Sequence, residues 1–282
     1  MTTVSAPAKV NLFLRVCGKT STGLHLLDSV IIFTDFGDRI TIRPAVRDKL
    51  KISGPFAEIL KTLSDREDNN LVMLALAAFR RSGGVIGSVE IHLEKHIPVG
   101  AGLGGGSTDA AAILRALNNL ASVRLDEASL LQIAASLGAD VPVCLSSHSQ
   151  RIGGIGDRLT RCKVKQAHIL LVNPLKHLTT AAVFANFKGP ASGHAGSLDE
   201  QDVVALVAHG NDLLPAAAAL LPEINDTLKI LRESPGCKIA SMSGSGASCF
   251  GVFYDAQKTS EAAQRMHDCG FWAVPTNIKT AI

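Results

Sequence analysis

Residues 98–112 read Pro-Val-Gly-Ala-Gly-Leu-Gly-Gly-Gly-Ser-Thr-Asp-Ala-Ala-Ala, and no other stretch says more about the architecture of this chain. Five of the seven residues from Gly100 to Gly106 are glycine, and apolar residues at helical spacing follow them to about Ala121. Glycine lets the backbone adopt positive φ and approach a ligand closely. The N-terminus of the following helix offers unpaired N–H groups and a positive dipole end. The stretch therefore predicts a loop that cradles phosphate.

Other interpretations of this loop fit the sequence less well. A flexible loop with an ordinary helix cap among residues 107–109 is disfavoured, because five glycines before a helix carry an entropic cost without a structural return. A Walker A loop needs Lys at position 106, where this chain has Gly106. Residues 100–105 satisfy G-x-G-x-x-G, but the acidic residue expected about 20 positions later is Asp126, which starts a helix. The lysine strand and H-R-D loop of protein kinases are missing downstream.

The N-terminal segment alternates between apolar and other residues over positions 4–16, which predicts a strand. Lys9 and Asn11 share one face of it, roughly 6.6 Å apart by strand rise. A long cation and an amide at this spacing could hold an anionic or hydroxylated ligand. For this pair taken alone, a solvated edge face is the favoured interpretation.

Asp140 lies just beyond a predicted helix that has Asp126 as its N-cap and ends at Gly138. Pro142 stiffens the backbone after it. The position suits a catalytic carboxylate, and an Asx-turn that closes the helix fits equally well.

Near the C-terminus, residues 242–251 are rich in small side chains between apolar, strand-like flanks. The segment predicts a tight loop that lets another glycine-rich loop or a substrate approach. A plain hairpin turn is the alternative.

Strands and helices are mixed without regular βαβ alternation, so the fold class is predicted to be α+β. A polar, glycine-rich change of composition around residues 146–157 predicts two domains, 1–150 and 151–282. Further elements are predicted as strands at 29–34, 39–43, 88–93 and 167–172, helices at 71–81, after Thr180 and on both sides of Pro222, a loop at 189–196, and a strand pair around 243–248.

Composition bounds the class of protein. Apolar residues make up 46% and charged residues 19% of the 282 residues, enough for a sizeable core. A net charge of +3 is too weak to indicate nucleic acid or an anionic membrane as partner. Apolar runs fall short of the roughly 18 residues of a membrane span, and no secretory signal is apparent. The six cysteines form no C-x-x-C pair, so we expect reduced, buried thiols in a soluble cytoplasmic protein.

Taken together, five segments resemble the GHMP small-molecule kinases in order and in kind. The resemblance implies a two-lobed α+β fold with ATP and substrate in the cleft between the lobes, and a monomer or weak homodimer. The opening segment and His25 are similar to the branch that uses ATP to phosphorylate a cytidylated sugar alcohol in non-mevalonate isoprenoid synthesis. The segments are 6–14, 23–25, 98–112, 137–142 and 243–247.

The resemblance also implies roles for single residues. Asp140 matches the catalytic carboxylate, Lys9 its partner near the accepting hydroxyl, and Ser107 a contact to Mg²⁺. The substrate-binding residues implied are Asn11, Leu24, His25 and Phe184, with Leu24 standing where the family usually has a Tyr that stacks on cytosine. The ATP-binding residues implied are Pro98, Gly100, Gly102, Leu103, Gly104, Gly105, Gly106, Ser107 and Thr108, with Lys95 and Asn70.

Two other functions remain open. A homoserine or mevalonate kinase shares the glycine loop, but Lys9-x-Asn11 with His25 argues against it. A catalytically inactive nucleotide-binding protein is opposed by the presence of both Lys9 and Asp140.

Overall fold

The computed structural model describes residues 1–63, 69–196 and 202–280. The chain divides into two compact units, each built from non-consecutive segments. Unit 1 consists of Met1–Ala8, Gly37–Val99 and Gly104–Ser147, and unit 2 of Lys9–Phe36, Gly100–Leu103 and His148–Ile282. These units are made of several segments each, whereas the sequence predicted two continuous domains, 1–150 and 151–282. The two continuous domains stay a prediction.

The described residues form ten strands and ten helices, in an order that confirms the predicted α+β class. The strands are β1 (Thr2–Lys19), β2 (His25–Pro44), β3 (Lys49–Ser53), β4 (Val89–Glu94), β5 (Gln150–Gly153), β6 (Arg158–Arg161), β7 (His168–Asn173), β8 (Ile239–Met242), β9 (Cys249–Phe253) and β10 (Trp272–Asn277). The helices are α1 (Ala57–Leu63), α2 (Leu71–Arg81), α3 (Gly105–Leu120), α4 (Glu127–Leu137), α5 (Val141–Ser146), α6 (Thr180–Asn186), α7 (Val203–Ala208), α8 (Leu214–Leu220), α9 (Glu223–Glu233) and α10 (Ala256–Asp268).

Unit 1 combines the second half of β2 with β3, β4 and the helices α1 to α5. β4 pairs antiparallel with β2 and parallel with β3. Ile40 and Ile42 of β2 and Ile91 and Leu93 of β4 are fully buried, as a two-residue period requires. Helix α3 buries the predicted apolar stripe of Ala110, Ile113, Leu114 and Leu117.

Unit 2 contains an antiparallel sheet of order β10-β7-β9-β8 and the helices α6 to α10. Its hydrophobic core gathers side chains from this sheet, from β1 and from the helices, among them Leu14, Val172, Leu228, Phe253 and Met266. The first half of β2 pairs antiparallel with β5, and β5 pairs with β6. The loop between β8 and β9 is the predicted turn of a strand pair.

Two expectations are corrected. The separate strands predicted at 29–34 and 39–43 are one continuous strand, β2. All six cysteines are free thiols, as predicted, but only Cys144 and Cys249 are buried, and Cys269 is exposed. Of the described helices, none has the length and apolar character that a membrane span requires.

Candidate active site

The glycine loop ends in an uncapped helix. Gly100, Gly102 and Gly104 have φ of 68°, 74° and 66°, in the left-handed region that favours glycine. Gly104 is the N-cap of α3, and no side chain caps the helix. The N-cap residue of this 16-residue helix therefore supplies no side-chain acceptor for its first N–H groups. A helix start of this kind favours an anion, and the phosphate site at this loop stays a prediction.

Within unit 2, the loop between β8 and β9 packs directly on the glycine loop. A Cβ atom on Gly102 would lie only 2.3 Å from the carbonyl oxygen of Gly246. Ser248 N donates to the carbonyl oxygen of Ala101 at 3.1 Å, and Ser243 Oγ donates to that of Gly102 at 3.4 Å. Residues 242–251 are therefore both a hairpin turn and a support for the glycine loop, so the two interpretations of this segment are compatible.

Within unit 1, a buried lysine joins the segments on either side of the glycine loop. Lys95 Nζ donates to Asp38 Oδ2 at 2.5 Å and to Asp109 Oδ2, in the first turns of α3, at 2.7 Å. Asp38 Oδ1 accepts from Ile97 N at 2.8 Å. A Cβ atom on Gly105 would lie 2.9 Å from Lys95 Nζ, so the ammonium group lies directly against the start of the helix.

Burial shifts the pKa of the lysine and the pKa of the aspartate in this ion cluster in opposite directions. Burial alone would lower the pKa of Lys95, but the carboxylates of Asp109 and Asp38 raise it above its ordinary value. Burial raises the pKa of Asp109, whose Oδ1 finds no partner among the described residues. Lys95 is therefore charged and donates hydrogen bonds to both Asp38 and Asp109. Its predicted contact with ATP stays a prediction.

Other residues predicted to bind ATP lie around the same helix start. Asn70 is the N-cap of α2, its Oδ1 accepting from Val72 N at 2.9 Å. A Cβ atom on Gly106 would lie 3.3 Å from the side chain of Leu71, so the starts of α2 and α3 are neighbours. Thr108 Oγ1 donates to the carbonyl oxygen of Gly105 at 2.9 Å. Pro98 and Leu103 are buried.

Lys9 and Asn11 are buried, with 6% and 5% of their surface exposed, so a solvated edge face is excluded for both. Lys9 N donates to the carbonyl oxygen of Leu103 at 2.9 Å, which ties β1 to the glycine loop within unit 2. Asn11 Nδ2 donates to Ser29 Oγ at 2.8 Å. Asn11 Oδ1 is buried and has no hydrogen-bond partner in the described chain.

Asp140 precedes α5 in unit 1 as its N-cap residue, and Pro142 lies in the first turn of that helix. The Asp140 side chain does not cap α5, and the residue is exposed. Helix α4 ends at Gly138, as predicted. The carboxylate therefore stands at a fixed backbone position between two helices, while Lys9 belongs to the other unit.

An aromatic cluster surrounds His25 in unit 2. The His25 ring lies 4.9 Å from the ring of Phe184 at an interplanar angle of 32°, and 6.0 Å from that of Phe187 at 78°. His25 Nε2 is buried without a partner among the described residues. Burial, and secondarily the charge of Lys19, lower the pKa of His25. Leu24 is 53% exposed beside it.

Three residues of these clusters were missed by the sequence analysis: Asp38, Asp109 as a partner of Lys95, and Phe187. For Asp38 a signal was present, because an acidic residue within an apolar strand pattern indicates a buried charge. Phe187 carried no comparable signal.

Residues 70–148 match the family described as GHMP kinases N terminal domain, and residues 195–270 match GHMP kinases C terminal. The chain is 41% identical over 284 residues to the 4-diphosphocytidyl-2-C-methyl-D-erythritol kinase of Parvibaculum lavamentivorans, covering 96% of both chains. It is also 41% identical to the kinase of the same name from Brucella abortus, covering 96% of this chain and 93% of that one.

Solved structures agree with these matches. A crystal structure of 4-(cytidine 5'-diphospho)-2C-methyl-D-erythritol kinase superposes with a TM-score of 0.83 and 29% identity, covering 99% of this chain and 100% of the other. Homoserine kinase from Cytophaga hutchinsonii, at 19% identity, shares the fold with a TM-score of 0.72 over 99% of this chain and 94% of its own. The chain therefore belongs to the GHMP kinases and, among them, to the family of the 4-diphosphocytidyl-2-C-methyl-D-erythritol kinases.

Proposed function

We propose that this enzyme transfers the γ-phosphoryl group of ATP to the 2-hydroxyl of 4-diphosphocytidyl-2-C-methyl-D-erythritol, a step of non-mevalonate isoprenoid precursor synthesis. The observation that carries the proposal is 41% identity over 96% of the chain with kinases of that name. The uncapped start of α3 behind left-handed glycines supports ATP as the phosphate donor.

In the reaction, the acceptor oxygen bonds to the γ-phosphorus as the bond from that phosphorus to the β–γ bridging oxygen breaks, and ADP leaves. The transition state is loose, so the protein acts mainly by alignment and charge stabilisation. The N–H groups at the start of α3 are assigned to the phosphates of ATP. Asp140 orients the acceptor hydroxyl and takes its proton, and Lys9 stabilises the transferred group.

The residues present fit a magnesium ion at the phosphates. Ser107 lies in the first turn of α3, and its hydroxyl makes no hydrogen bond within the described chain. Described residues include no group of three or more His, Cys, Asp or Glu that could hold a metal alone. Mg²⁺ commonly binds through few protein ligands and the substrate phosphates. When bound, it neutralises charge on the β and γ phosphates.

The proposed substrate-binding residues form two groups, one for each end of the substrate. Asn11, with its unpaired Oδ1, is assigned to the sugar alcohol. Leu24, His25 and Phe184 are assigned to cytosine. A neutral imidazole offers one donor and one acceptor, which suits a pyrimidine edge, and an aromatic face suits stacking.

Several further properties, which rest on the family resemblance and on composition, are proposals of the same kind. Lys95 and Asn70 contribute to the nucleotide site. The enzyme acts in the cytoplasm, as a monomer or weak homodimer, and binds neither nucleic acid nor membrane.

A substrate panel tests the proposal. Purified enzyme with ATP and Mg²⁺ is offered 4-diphosphocytidyl-2-C-methyl-D-erythritol, homoserine and mevalonate, and ADP release is measured. We expect turnover of the cytidylated substrate alone. Preference for homoserine or mevalonate would reassign the enzyme within the GHMP kinases, and no turnover of any acceptor would indicate an inactive nucleotide-binding protein.

A further inference from the structure

The imidazole of His25 is held by ring contacts. Phe184 lies within α6, and Phe187 is its C-cap residue. The Phe184 ring is tilted at 32° against the imidazole, whereas the Phe187 ring meets it nearly edge-on, at 78°. The torsion that turns an imidazole ring about its Cβ–Cγ bond has broad minima. Because Nε2 has no partner among the described residues, packing must set the direction in which that atom points.

The chain makes room for Phe187 at a specific glycine. A Cβ atom on Gly189 would lie 2.8 Å from Phe187 Cε2 and 3.0 Å from its Cζ. The φ of Gly189 is outside the left-handed region, so its backbone conformation is open to other residues. Glycine at this position therefore serves the ring of Phe187.

We propose that Phe187 is a positioning residue for cytidine recognition, which fixes the plane of the His25 imidazole so that Nε2 faces the pyrimidine. The inference rests on the proposed function, because that function supplies the cytidine. Phe187 acts through His25 and needs no contact with the base. Its role is distinct from that of Phe184, which is assigned to stacking on the base.

The test compares Phe187→Leu, which keeps an apolar side chain and removes the ring, with Phe187→Tyr, which keeps the ring. Phe187→Leu should raise KM for the cytidylated substrate about 3- to 10-fold, the scale of one aromatic pair. Values of kcat and of KM for ATP should stay unchanged, because the contact is remote from the transferred phosphate. Phe187→Tyr should retain a KM close to that of the original enzyme.

A second pair of variants tests the position of the Phe187 ring through Gly189, which packs against it. Gly189→Ala should displace Phe187 and raise the same KM. Gly193→Ala is the matched control, since a Cβ atom there meets nothing within 4 Å, and it should leave KM unchanged. Circular dichroism checks that each variant is folded. If Phe187→Leu does not fold, Gly189→Ala decides.

Calorimetry with CMP separates this inference from the proposed function, because binding needs no turnover. If the enzyme binds CMP and Phe187→Leu weakens that binding, the inference holds even where the substrate panel reassigns the acceptor. Unchanged KM and CMP affinity in both Phe187→Leu and Gly189→Ala would overturn it. So would an absence of CMP binding to the original enzyme, or an equal rise in KM in Gly193→Ala.

Discussion

At the scale of single residues, Asp140 is the group on which the proposed chemistry depends most. Asp140→Asn keeps the size of the side chain and removes its capacity to accept a proton. We expect kcat to fall about 10²- to 10⁴-fold, the usual contribution of a general base. The Asp140 side chain is exposed and does not cap α5, and the melting temperature of the variant shows whether it stays folded. A kcat near that of the original enzyme in a folded variant would remove Asp140 from the mechanism.

Some residue-scale properties can be predicted from sequence and others depend on distant partners. The shared strand face of Lys9 and Asn11 follows from two-residue periodicity. Their burial does not, because it depends on chain segments more than 90 residues away, such as Leu103, whose carbonyl oxygen accepts from Lys9 N. Asp38 likewise is ion-paired with Lys95, 57 residues later.

At the scale of elements, β2 runs as one strand through a segment that reads as a turn, Thr34-Asp-Phe-Gly-Asp38. The strand pairs with β1, and Gly37 lets the two backbones meet, since a Cβ atom there would lie 2.2 Å from the carbonyl oxygen of Ala6. β10 was not among the strands predicted from the sequence, and it contains Pro275. That strand lies at the edge of its sheet, where a missing N–H donor is tolerated. The bounds of helices such as α2 depend on local periodicity and caps. The predicted range of α2, 71–81, agrees with the structure at both ends.

The Lys95 ion cluster should stabilise unit 1. Lys95→Met leaves Asp38 and Asp109 buried without a cation, and we expect it to lower the free energy of unfolding by about 3–5 kcal/mol, measured by urea titration. Adding Asp109→Asn removes one uncompensated charge and should recover part of that loss. Lys51→Met is the matched control: its ion pair with Glu90 is partly exposed, so stability should hardly change. Equal effects of the two Lys→Met variants would contradict this assignment.

A second ion pair ties the loop at 189–196 to the strands of unit 2. Arg151 donates from Nε and Nη2 to Asp28 at 2.8 and 2.7 Å, and Ala195 N donates to Asp28 Oδ2 at 2.7 Å. Burial would raise the pKa of Asp28, but the hydrogen bonds from Arg151 and Ala195 outweigh it and the pKa is lowered.

Because the folded-state pKa lies below that of the unfolded chain, ionised Asp28 stabilises the fold above the unfolded value of about 3.9. That contribution is lost as pH falls from about 4 through the folded-state pKa. Asp28→Asn should therefore be less stable at pH 7 and show a shallower loss of stability between about pH 5 and 3. Asp226→Asn, an exposed position on α9, is the control. A variant with the acid slope of the original enzyme would exclude this role.

For the whole molecule, the fold class could be predicted because the glycine loop, the strand alternation and the absence of βαβ order are local properties of the sequence. The assignment of chain segments to the two compact units could not be predicted. Lys9–Phe36 belongs with residues beyond 147, and Gly100–Leu103 with the same unit, through contacts that no local pattern encodes. Ligand sites that were predicted on single segments therefore have to be tested on the intact enzyme.

Ligands of the two proposed nucleotide sites, for ATP and for cytidine, should each stabilise the intact enzyme separately. At about 100 times its Kd, a ligand that binds only the native state adds roughly 2.7 kcal/mol and should raise the melting temperature by about 5–10 °C. The non-hydrolysable ATP analogue AMP-PNP should lose this shift in Gly102→Ala, since the added methyl meets the carbonyl of Gly246 at 2.3 Å and φ is positive. The same variant should keep the shift with CMP. Phe184→Ala should show the reverse pattern. Gly270→Ala controls for backbone strain, because its φ is +84° and its surroundings are open. Loss of both shifts in Gly102→Ala, but neither in Gly270→Ala, would mean that the glycine loop also supports the cytidine site and that the two sites are coupled.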